Sequence, residues 1–272
     1  MRVSSTTLIY FSPTRTTRRI LEAIAQGMAG LRVDHLDLTP PDAPADGVAA
    51  APGSLALVGA PVYGGRIPAV AADRLRRVRG DGAPAVLVVA YGNRAYEDAL
   101  LELRDLVFKG GFRPIAAGAF IGEHSFSGAA TPIASGRPDP DDLTRARAFG
   151  ALVWQKLGSL PARDRVPLLR IPGDVPYKES RVPAQIPPVR DEAACVLCGA
   201  CVAVCPMGAI SIGATVVTDS SKCIVCCACV KQCPEGARAV VDARIRAIAQ
   251  RLTLNCQARR EPETYFLAEV PV

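Results

Sequence analysis

Short apolar stretches alternate with amphipathic stretches through the first 158 residues. Continuous apolar runs predict buried strands, and apolar positions repeating every three or four residues predict helices. The predicted strands are TTLIYFS, VDHLDLT, SLALVGAPVY, APAVLVVAYGN and PIAAGAFIG. The predicted helices are TRRILEAIAQGM, IPAVAADRLRRVRG, YEDALLELRDLVFKGG and DPDDLTRARAFGALVWQKLG. This alternation predicts five strand–helix units and an α/β fold, in which a parallel sheet is covered on both faces.

The pattern then changes three times, which divides the chain into four segments. Residues 1–158 form the predicted sheet domain, and the proline-rich residues 159–190 predict a semi-rigid linker. Residues 191–240 hold an internal repeat rich in cysteine. Residues 241–272 form a tail, and the segment ARAVVDARIRAIAQRLTLNC (residues 237–256), which overlaps the start of the tail, predicts an amphipathic helix that packs on another part of the chain.

Composition and charge exclude several classes. Hydrophobic residues make up 49% of the chain and charged residues 21%, which is typical of a globular protein. No apolar run reaches the length of a membrane-spanning helix, and the N-terminus lacks a small-residue cleavage site, so we expect a cytoplasmic protein. The formal net charge of +6 comes from scattered arginines without a block of like charges, which argues against nucleic acid as a partner and suits an acidic protein. Neither a G-x-G-x-x-G motif nor a P-loop motif occurs, so no NAD(P) site is predicted.

The cysteines occur as a repeat. CVLCGACVAVCPMGAI starts at Cys195, and CIVCCACVKQCPEGAR starts at Cys223, 28 residues later. Each repeat reads C-x2-C-x2-C-x3-C-P, a spacing with which a short loop places soft thiolates around an iron–sulfur cluster. Zinc also binds C-x2-C pairs, but a zinc site does not require the third cysteine, the fourth cysteine and the following proline in both repeats.

Residues 190–240 resemble the bacterial-type ferredoxins, a small α+β domain with two [4Fe-4S] clusters. In that arrangement the fourth cysteine of each repeat binds the other cluster. The resemblance assigns one cluster to Cys195, Cys198, Cys201 and Cys233, and the other to Cys223, Cys226, Cys229 and Cys205. Cys227 stands where the first repeat has Gly199, so we interpret it as a buried filler rather than a ligand. Cys256, outside the repeat, is interpreted as a core residue.

Three loops at the ends of predicted strands carry polar residues. The turn after the first strand reads Ser12-Pro13-Thr14-Arg15-Thr16-Thr17, and hydroxyl groups at a helix N-terminus suit an anion. Pro61-Val62-Tyr63-Gly64-Gly65 follows the third strand, and Tyr91-Gly92-Asn93-Arg94 with Tyr96 follows the fourth. All three loops lie where open α/β sheets bind ligands.

These loops resemble those of the flavodoxins, whose fold is a doubly wound sheet with strand order 2-1-3-4-5 and whose cofactor is FMN. The resemblance implies that the first loop binds the phosphate, although Arg15 and Thr16 replace the Gly and Asn found in many flavodoxins. It also implies that the other two loops flank the ring. Arg66 or Arg94 could then stabilise the reduced, anionic flavin. His124, in GEHSFSG after the fifth strand, is a candidate proton donor, although a histidine in such a loop is more often structural.

Together the two halves resemble the flavodoxin–ferredoxin fusion proteins. The resemblance implies an electron-transfer protein that passes electrons between FMN and the clusters and on to a redox partner, a ferredoxin or an oxidoreductase. Two alternatives remain open. One is an FMN-dependent reductase of a small molecule, with Tyr63, Tyr91, Tyr96 and His124 around the substrate. The other is a redox sensor, for which Cys227 is the only indication.

Overall fold

A parallel sheet forms the centre of the first part of the chain. The computed structural model describes residues 3–28, 30–43, 48–49, 53–158, 168–179 and 186–267. Within 3–158 the strands are β1 (Ser5–Tyr10), β2 (Arg32–Asp37), β3 (Val48–Ala49), β4 (Ser54–Pro61), β5 (Val78–Arg79), β6 (Pro84–Tyr91) and β7 (Arg113–Ile121). The parallel strands β2-β1-β4-β6-β7 lie in that order, which is the predicted flavodoxin-like order 2-1-3-4-5.

Helices cover both faces of the sheet. They are α1 (Thr16–Gln26), α2 (Ala69–Leu75), α3 (Ala99–Lys109) and α4 (Pro140–Leu157). Apolar residues of α1 and α4 pack on one face, and those of α2 and α3 pack on the other. Helix α4 begins with a capping box between Asp139 and Asp142. The strands β1, β4, β6 and β7 are therefore buried on both sides, as their continuous apolar sequences predict.

One detail of this part differs from the predicted elements. The second predicted helix, over residues 67–80, ends at Leu75, and Val78–Arg79 form β5, which pairs with β3. This error arises because a short β-pairing depends on a distant partner strand, which a local pattern does not reveal. The described residues between β2 and β4 contain no helix, so the five parallel strands and four helices form four strand–helix units, one fewer than the five predicted.

The described part of the proline-rich segment, residues 168–179, lies along α3. Leu169 is buried in the core beneath it, and its carbonyl oxygen accepts a hydrogen bond from Arg104. The Asp98 carboxylate accepts hydrogen bonds from the backbone amides of Asp174 and Lys178. No helix or strand occurs in this described stretch, in agreement with its proline content. Residues 159–167 and 180–185 of the predicted linker lie outside the described residues.

The cysteine repeat folds into two similar halves. Its elements are β8 (Val189–Arg190), α5 (Ala200–Ala203), β9 (Ile210–Ile212), β10 (Val216–Thr218), α6 (Ala228–Lys231) and β11 (Arg238–Ala239). Strand β9 pairs with β10, and β8 pairs with β11, both antiparallel. The one-turn helices α5 and α6 begin 28 residues apart, at Ala200 and Ala228, so the repeat in sequence is also a repeat in structure.

The C-terminal segment returns to the first sheet. Helix α7 (Ala243–Asn255) packs Ala249 and Leu252 against Ile133 in the loop after β7. Strand β12 (Glu263–Phe266) then pairs antiparallel with β7 and becomes the outer strand of the six-stranded sheet. The helix agrees with the prediction, whereas β12 was not predicted, because its four residues carry only a weak strand signal.

Candidate functional site

A large cavity opens at the carboxyl ends of the parallel strands. It has a volume of about 670 Å³, within the range for a cofactor-sized ligand. The predicted residues that line it are Thr14, Thr16, Pro61, Val62, Tyr63, Gly64, Tyr91, Gly92, Arg94 and His124. We call this space the main cavity. Residues from all three predicted loops therefore come together, as the ends of neighbouring parallel strands must.

The loop after β1 contributes Thr14 and Thr16, whose hydroxyl oxygens are 3.3 Å apart. Helix α1 begins at Thr16, so amide groups of its first turn lack intrahelical acceptors. Ser12 does not line the main cavity, because its hydroxyl accepts a hydrogen bond from the Arg18 amide and helps to start the helix. The buried Thr17 and the exposed Arg15, which adopts a positive φ of 63°, also lie outside the cavity lining.

The loop after β4 places the partly buried Tyr63 in the lining of the main cavity. Its hydroxyl hydrogen-bonds with Ser125, and burial, followed by the nearby Cys226 and Cys227, raises its pKa above the usual range. Tyr63 therefore stays protonated at neutral pH. Gly65 lies beside Glu97 and Lys178 rather than in the cavity lining.

Arg66 also points away from the main cavity. Its guanidinium binds both carboxylate oxygens of Glu102, at 2.7 and 2.6 Å, and donates to the Lys178 carbonyl oxygen. The ring of Tyr177 lies 4.7 Å from the guanidinium carbon. The suggested role for Arg66 beside a flavin is therefore not supported by its position, because this side chain joins α3 to the segment 168–179.

The loop after β6 separates into residues that face the main cavity and residues that hold the tail. Arg94 lines the cavity, and Glu97 binds its guanidinium through both carboxylate oxygens. Asn93 is buried and outside the cavity lining, and its side chain donates to the carbonyl oxygens of Cys256 and Ala258. Tyr96 also lies outside, where its hydroxyl is 2.7 Å from Glu263.

His124 reaches the main cavity as a neutral imidazole. Its Nδ1 accepts a hydrogen bond from the Phe126 amide, so the ring proton is on Nε2. Burial, with the positive charges of Arg94 and Lys231, lowers its pKa to about 4. The ring packs on Gly92, where an added Cβ would lie 2.4 Å from the His124 Cδ2. His124 can thus donate a hydrogen bond at neutral pH, but it is not an imidazolium that releases a proton.

The cysteines of the repeat line two separate cavities. One is bordered by Cys195, Cys198, Cys201 and Cys233, which we call the outer set. The other is bordered by Cys205, Cys223, Cys226 and Cys229, which we call the inner set. These groupings coincide with the two predicted ligand sets, including the exchange of the fourth cysteine. Among the described residues, no three His, Cys, Asp or Glu side chains suit a single metal ion.

The backbone around each cavity has the same unusual conformation. Positive φ angles occur at Leu197 and Val225, at Gly199 and Cys227, and at Gly208 and Gly236. Each pair is 28 residues apart, so the two loops turn in the same way. Such turns direct successive amide groups to one side and create a concave surface that suits an anion. Two cysteine-lined cavities with this backbone fit two iron–sulfur clusters bound by thiolates.

Cys227 has an environment suited to a neutral thiol. It is 2% exposed, borders the cavity of the inner set, and donates to the Val225 carbonyl oxygen at 3.6 Å. Burial, followed by the neighbouring cysteines, raises its pKa far above the usual range. Its positive φ of 59° matches that of 82° at Gly199. A glycine adopts this conformation with less strain than a cysteine does. Cys256 is also buried, in the small cluster with Ile133 and Leu252.

The main cavity and the cavity of the inner set are adjacent. Val225 lines the main cavity, and Cys226, the next residue, lines the cavity of the inner set. Ile224 borders the latter and also packs against the core of the sheet domain. Consecutive residues of one loop therefore border the ligand space of the first domain and the cysteine-lined space of the second.

Polar contacts hold the two domains in this arrangement. The Lys231 ammonium pairs with Glu123 and donates to the Ser127 carbonyl oxygen at 2.7 Å. Arg74 of α2 donates to the Pro206 carbonyl oxygen at 2.8 Å. The Lys231 side chain is 25% exposed and joins α6 to the loop after β7.

Several residues at the site were not found from the sequence. Ile248, Arg251 and Leu252 of α7 line the main cavity, as do Glu123 and Val225. The amphipathic pattern of α7 predicted that the helix packs on another part of the chain, but it did not identify that part. The sequence does not indicate that Val225 lines the main cavity, because an apolar residue between two cysteines is typical of a loop in the cluster domain.

Solved structures with a similar fold match the sheet part of the chain. A flavodoxin from the domain Archaea is 12% identical, with a TM-score of 0.38, over 57% of this chain and 99% of its own. A Streptococcus pneumonia TIGR4 flavodoxin is 17% identical, with a TM-score of 0.39, over 57% and 97%. An NADH:FMN oxidoreductase in its apo form is 16% identical, with a TM-score of 0.41, over 59% and 94%.

Comparison with curated proteins gives no match. Among the described residues no helix is long and apolar enough to cross a membrane.

The cysteine repeat matches a family model. Residues 187–234 match the model of the 4Fe-4S dicluster domain. The chain therefore joins a flavodoxin-like sheet domain to a domain for two [4Fe-4S] clusters.

Proposed function

We propose that this protein transfers electrons between an FMN bound in the main cavity, two [4Fe-4S] clusters bound by the inner and outer sets, and a partner redox protein. The single observation that carries the proposal is the adjacency of Val225 and Cys226, which border the two ligand spaces from one loop. The flavin supplies one- and two-electron chemistry, and each cluster supplies one-electron chemistry.

Different residues of the main cavity suit different parts of the flavin. Thr14 and Thr16, with amides of the first turn of α1, suit the phosphate at the helix N-terminus. Tyr63 and Tyr91 contribute ring surfaces to the cavity lining, and the Nε2 proton of His124 is available to a flavin oxygen or nitrogen. Arg94 carries a charge that Glu97 already compensates, which limits its influence on an anionic flavin.

Helix α7 restricts how a partner reaches this flavin. Ile248 and Leu252 of α7 and Val225 of the cysteine domain form part of the lining of the main cavity. The outer set is more accessible, because Cys198 is exposed and the neighbouring Val196 is 64% exposed. We therefore place the exchange of electrons with a partner protein at the outer set, in line with the apolar contacts of protein interfaces.

Anaerobic purification tests the proposal. Iron, acid-labile sulfide and flavin are measured per chain, with about eight iron atoms and one FMN expected. Stopped-flow mixing with dithionite-reduced ferredoxin then follows flavin and cluster absorbance separately. Flavin reduction that requires loaded clusters supports the proposal. Zinc in place of iron, absence of flavin binding, or flavin reduction at the same rate in cluster-free protein contradicts it.

A second candidate function is reduction of a small anionic acceptor at the flavin. A cavity of about 370 Å³, lined by Arg94, Arg251 and Arg260, shares Arg94 and Arg251 with the main cavity. Tyr63, Tyr91 and His124 face the main cavity, whereas Tyr96 does not. Steady-state turnover of a sulfonated quinone, compared with a neutral quinone, tests this function. A preference for the anionic quinone that Arg251→Ala removes supports it, and equal slow rates with both quinones contradict it.

A further inference from the structure

A buried arginine lies between the two cysteine-lined cavities. Arg238 opens β11 and is 4% exposed. It borders both the cavity of the inner set and the cavity of the outer set. In the first half of the repeat the same position, 28 residues earlier, holds Ile210, which is an apolar core residue. The two halves therefore differ at this place by one full positive charge.

The hydrogen bonds of Arg238 leave its charge uncompensated by protein. One guanidinium nitrogen, Nη2, donates to the Thr218 hydroxyl at 2.9 Å and is 3.7 Å from the Cys229 sulfur. Its Nε is buried and makes no hydrogen bond within the described part of the chain. Among the described residues no carboxylate forms an ion pair with it, in contrast to Arg66 and Arg137, whose partners are Glu102 and Asp142.

A buried cation without a counter-charge is unfavourable, so an anion is expected beside it. Four thiolates give each cluster a net negative charge, and reduction adds one more negative charge to it. Arg238 borders both cavities, and its Nη2 contacts the sulfur of Cys229, which belongs to the inner set. Arg238 thus has the place and the charge of a counter-ion shared by two clusters.

We propose that Arg238 is a positioning residue for electron transfer, whose charge stabilises the reduced form of both clusters and of the inner one most. Each cluster gains one electron from an external one-electron donor on reduction, and no bond forms or breaks at Arg238. The inner cluster is affected most because its ligand Cys229 is the cysteine that Arg238 contacts. The proposal rests on the clusters of the proposed function, since without iron the residue has nothing to compensate.

Substitutions of Arg238 in the full-length protein test this role. Arg238→Ile copies the other half of the repeat, Arg238→Gln keeps a polar side chain without charge, and Arg238→Lys keeps the charge. Redox titration with dithionite under argon, followed by EPR, gives the midpoint potential of each cluster. We expect the Ile and Gln variants to shift the reduction equilibrium of the inner cluster at least tenfold toward the oxidised form, a fall of about 59 mV. The outer cluster shifts in the same direction by less, and the Lys variant stays close to the wild type.

Controls separate the possible failures. Arg244→Ile removes an exposed arginine that is paired with Asp242 and leaves both potentials unchanged. If Arg238→Ile loses its iron, the comparison of Arg238→Lys with Arg238→Gln decides, because these two variants differ in charge at the same position. Equal potentials of the inner cluster in the Lys and Gln variants, or equal loss of iron from both, overturn the proposal. A wild-type protein without iron instead contradicts the proposed function.

Discussion

The two cysteine loops have the same backbone and different surroundings. Leu197 and Val225 share a positive φ, yet Leu197 is 40% exposed and Val225 is 3% exposed. Cys198 is exposed, and its counterpart Cys226 is buried. Ala203 of α5 corresponds to Lys231 of α6, which anchors the domain to Glu123. The cysteines and turn residues thus keep the cluster-binding backbone in both halves, and the residues between them determine whether a loop faces solvent or the main cavity.

Removal of one cysteine from each loop gives the largest expected difference between them. Cys226→Ser and Cys198→Ser each lose a cluster ligand, and we expect each to lose about half of the iron. Only Cys226→Ser breaks the connection beside the main cavity, so flavin reduction by reduced ferredoxin is lost at least 100-fold. In Cys198→Ser, photoreduced flavin still equilibrates with the remaining cluster. Equal behaviour of the two variants in flash-photolysis experiments would contradict the assignment of inner and outer sets.

A charge placed between the two spaces is the next test. Val225→Glu puts a buried carboxylate beside the main cavity. Because this carboxylate repels the negatively charged FMN, we expect the affinity for FMN to fall at least tenfold, which corresponds to about 1.4 kcal/mol. Leu197→Glu is the matched control, with the same backbone conformation and exposure to solvent. Fluorescence titration of flavin-depleted protein gives the dissociation constants. An unchanged affinity in Val225→Glu would place the flavin elsewhere.

The ion pair between the domains has a smaller expected effect. Lys231→Met removes the contacts with Glu123 and the Ser127 carbonyl oxygen, which we expect to lower stability by about 1 kcal/mol and the melting temperature by about 2–4 °C. Lys222→Met is the control, since Lys222 is exposed and forms a longer ion pair, of 3.5 Å, with Asp219. Anaerobic thermal unfolding measures both. A melting temperature equal to that of the control would show that other contacts hold the domains.

The pH dependence of stability provides the smallest test. The folded protein holds the pKa of His124 at about 4, below its ordinary value of 6.5, so the unfolded state binds the proton more readily. This contribution is fully present above pH 6.5 and is lost as the pH falls toward 4. Between pH 7 and pH 5.5 we expect the wild type to lose about 0.5–1 kcal/mol more stability than His124→Asn, because only the wild type has the histidine that takes up a proton on unfolding. The ring is partly accessible to solvent, which keeps the effect small. His35→Asn, at the exposed histidine of β2, is the control in denaturant titrations, and a wild-type slope in His124→Asn contradicts the prediction.

Much of this molecule could be predicted from its sequence. The strand order and the dicluster domain are confirmed, because buried strands such as β6 and the repeated C-x2-C-x2-C-x3-C-P pattern are local signals. The FMN and the individual ligands stay predictions, although the predicted loops meet at one cavity. What the sequence could not provide are the long-range contacts. Nothing near Asn93 in the sequence indicates that it holds residues 256–260. The sequence shows that Arg238 stands where the first repeat has Ile210, but not that Arg238 borders both cysteine-lined cavities.

The return of the chain to the first sheet has a consequence for synthesis. Strand β12 pairs with β7, so the cysteine domain is an insertion in the sequence of the sheet domain rather than an appendage to it. A ribosome completes the cysteine loops before it releases the residues that finish the sheet. Until then β7 has an open edge, and open edges are where strands of different chains associate. The edge of β7 is therefore covered only after the whole cysteine domain has been synthesised.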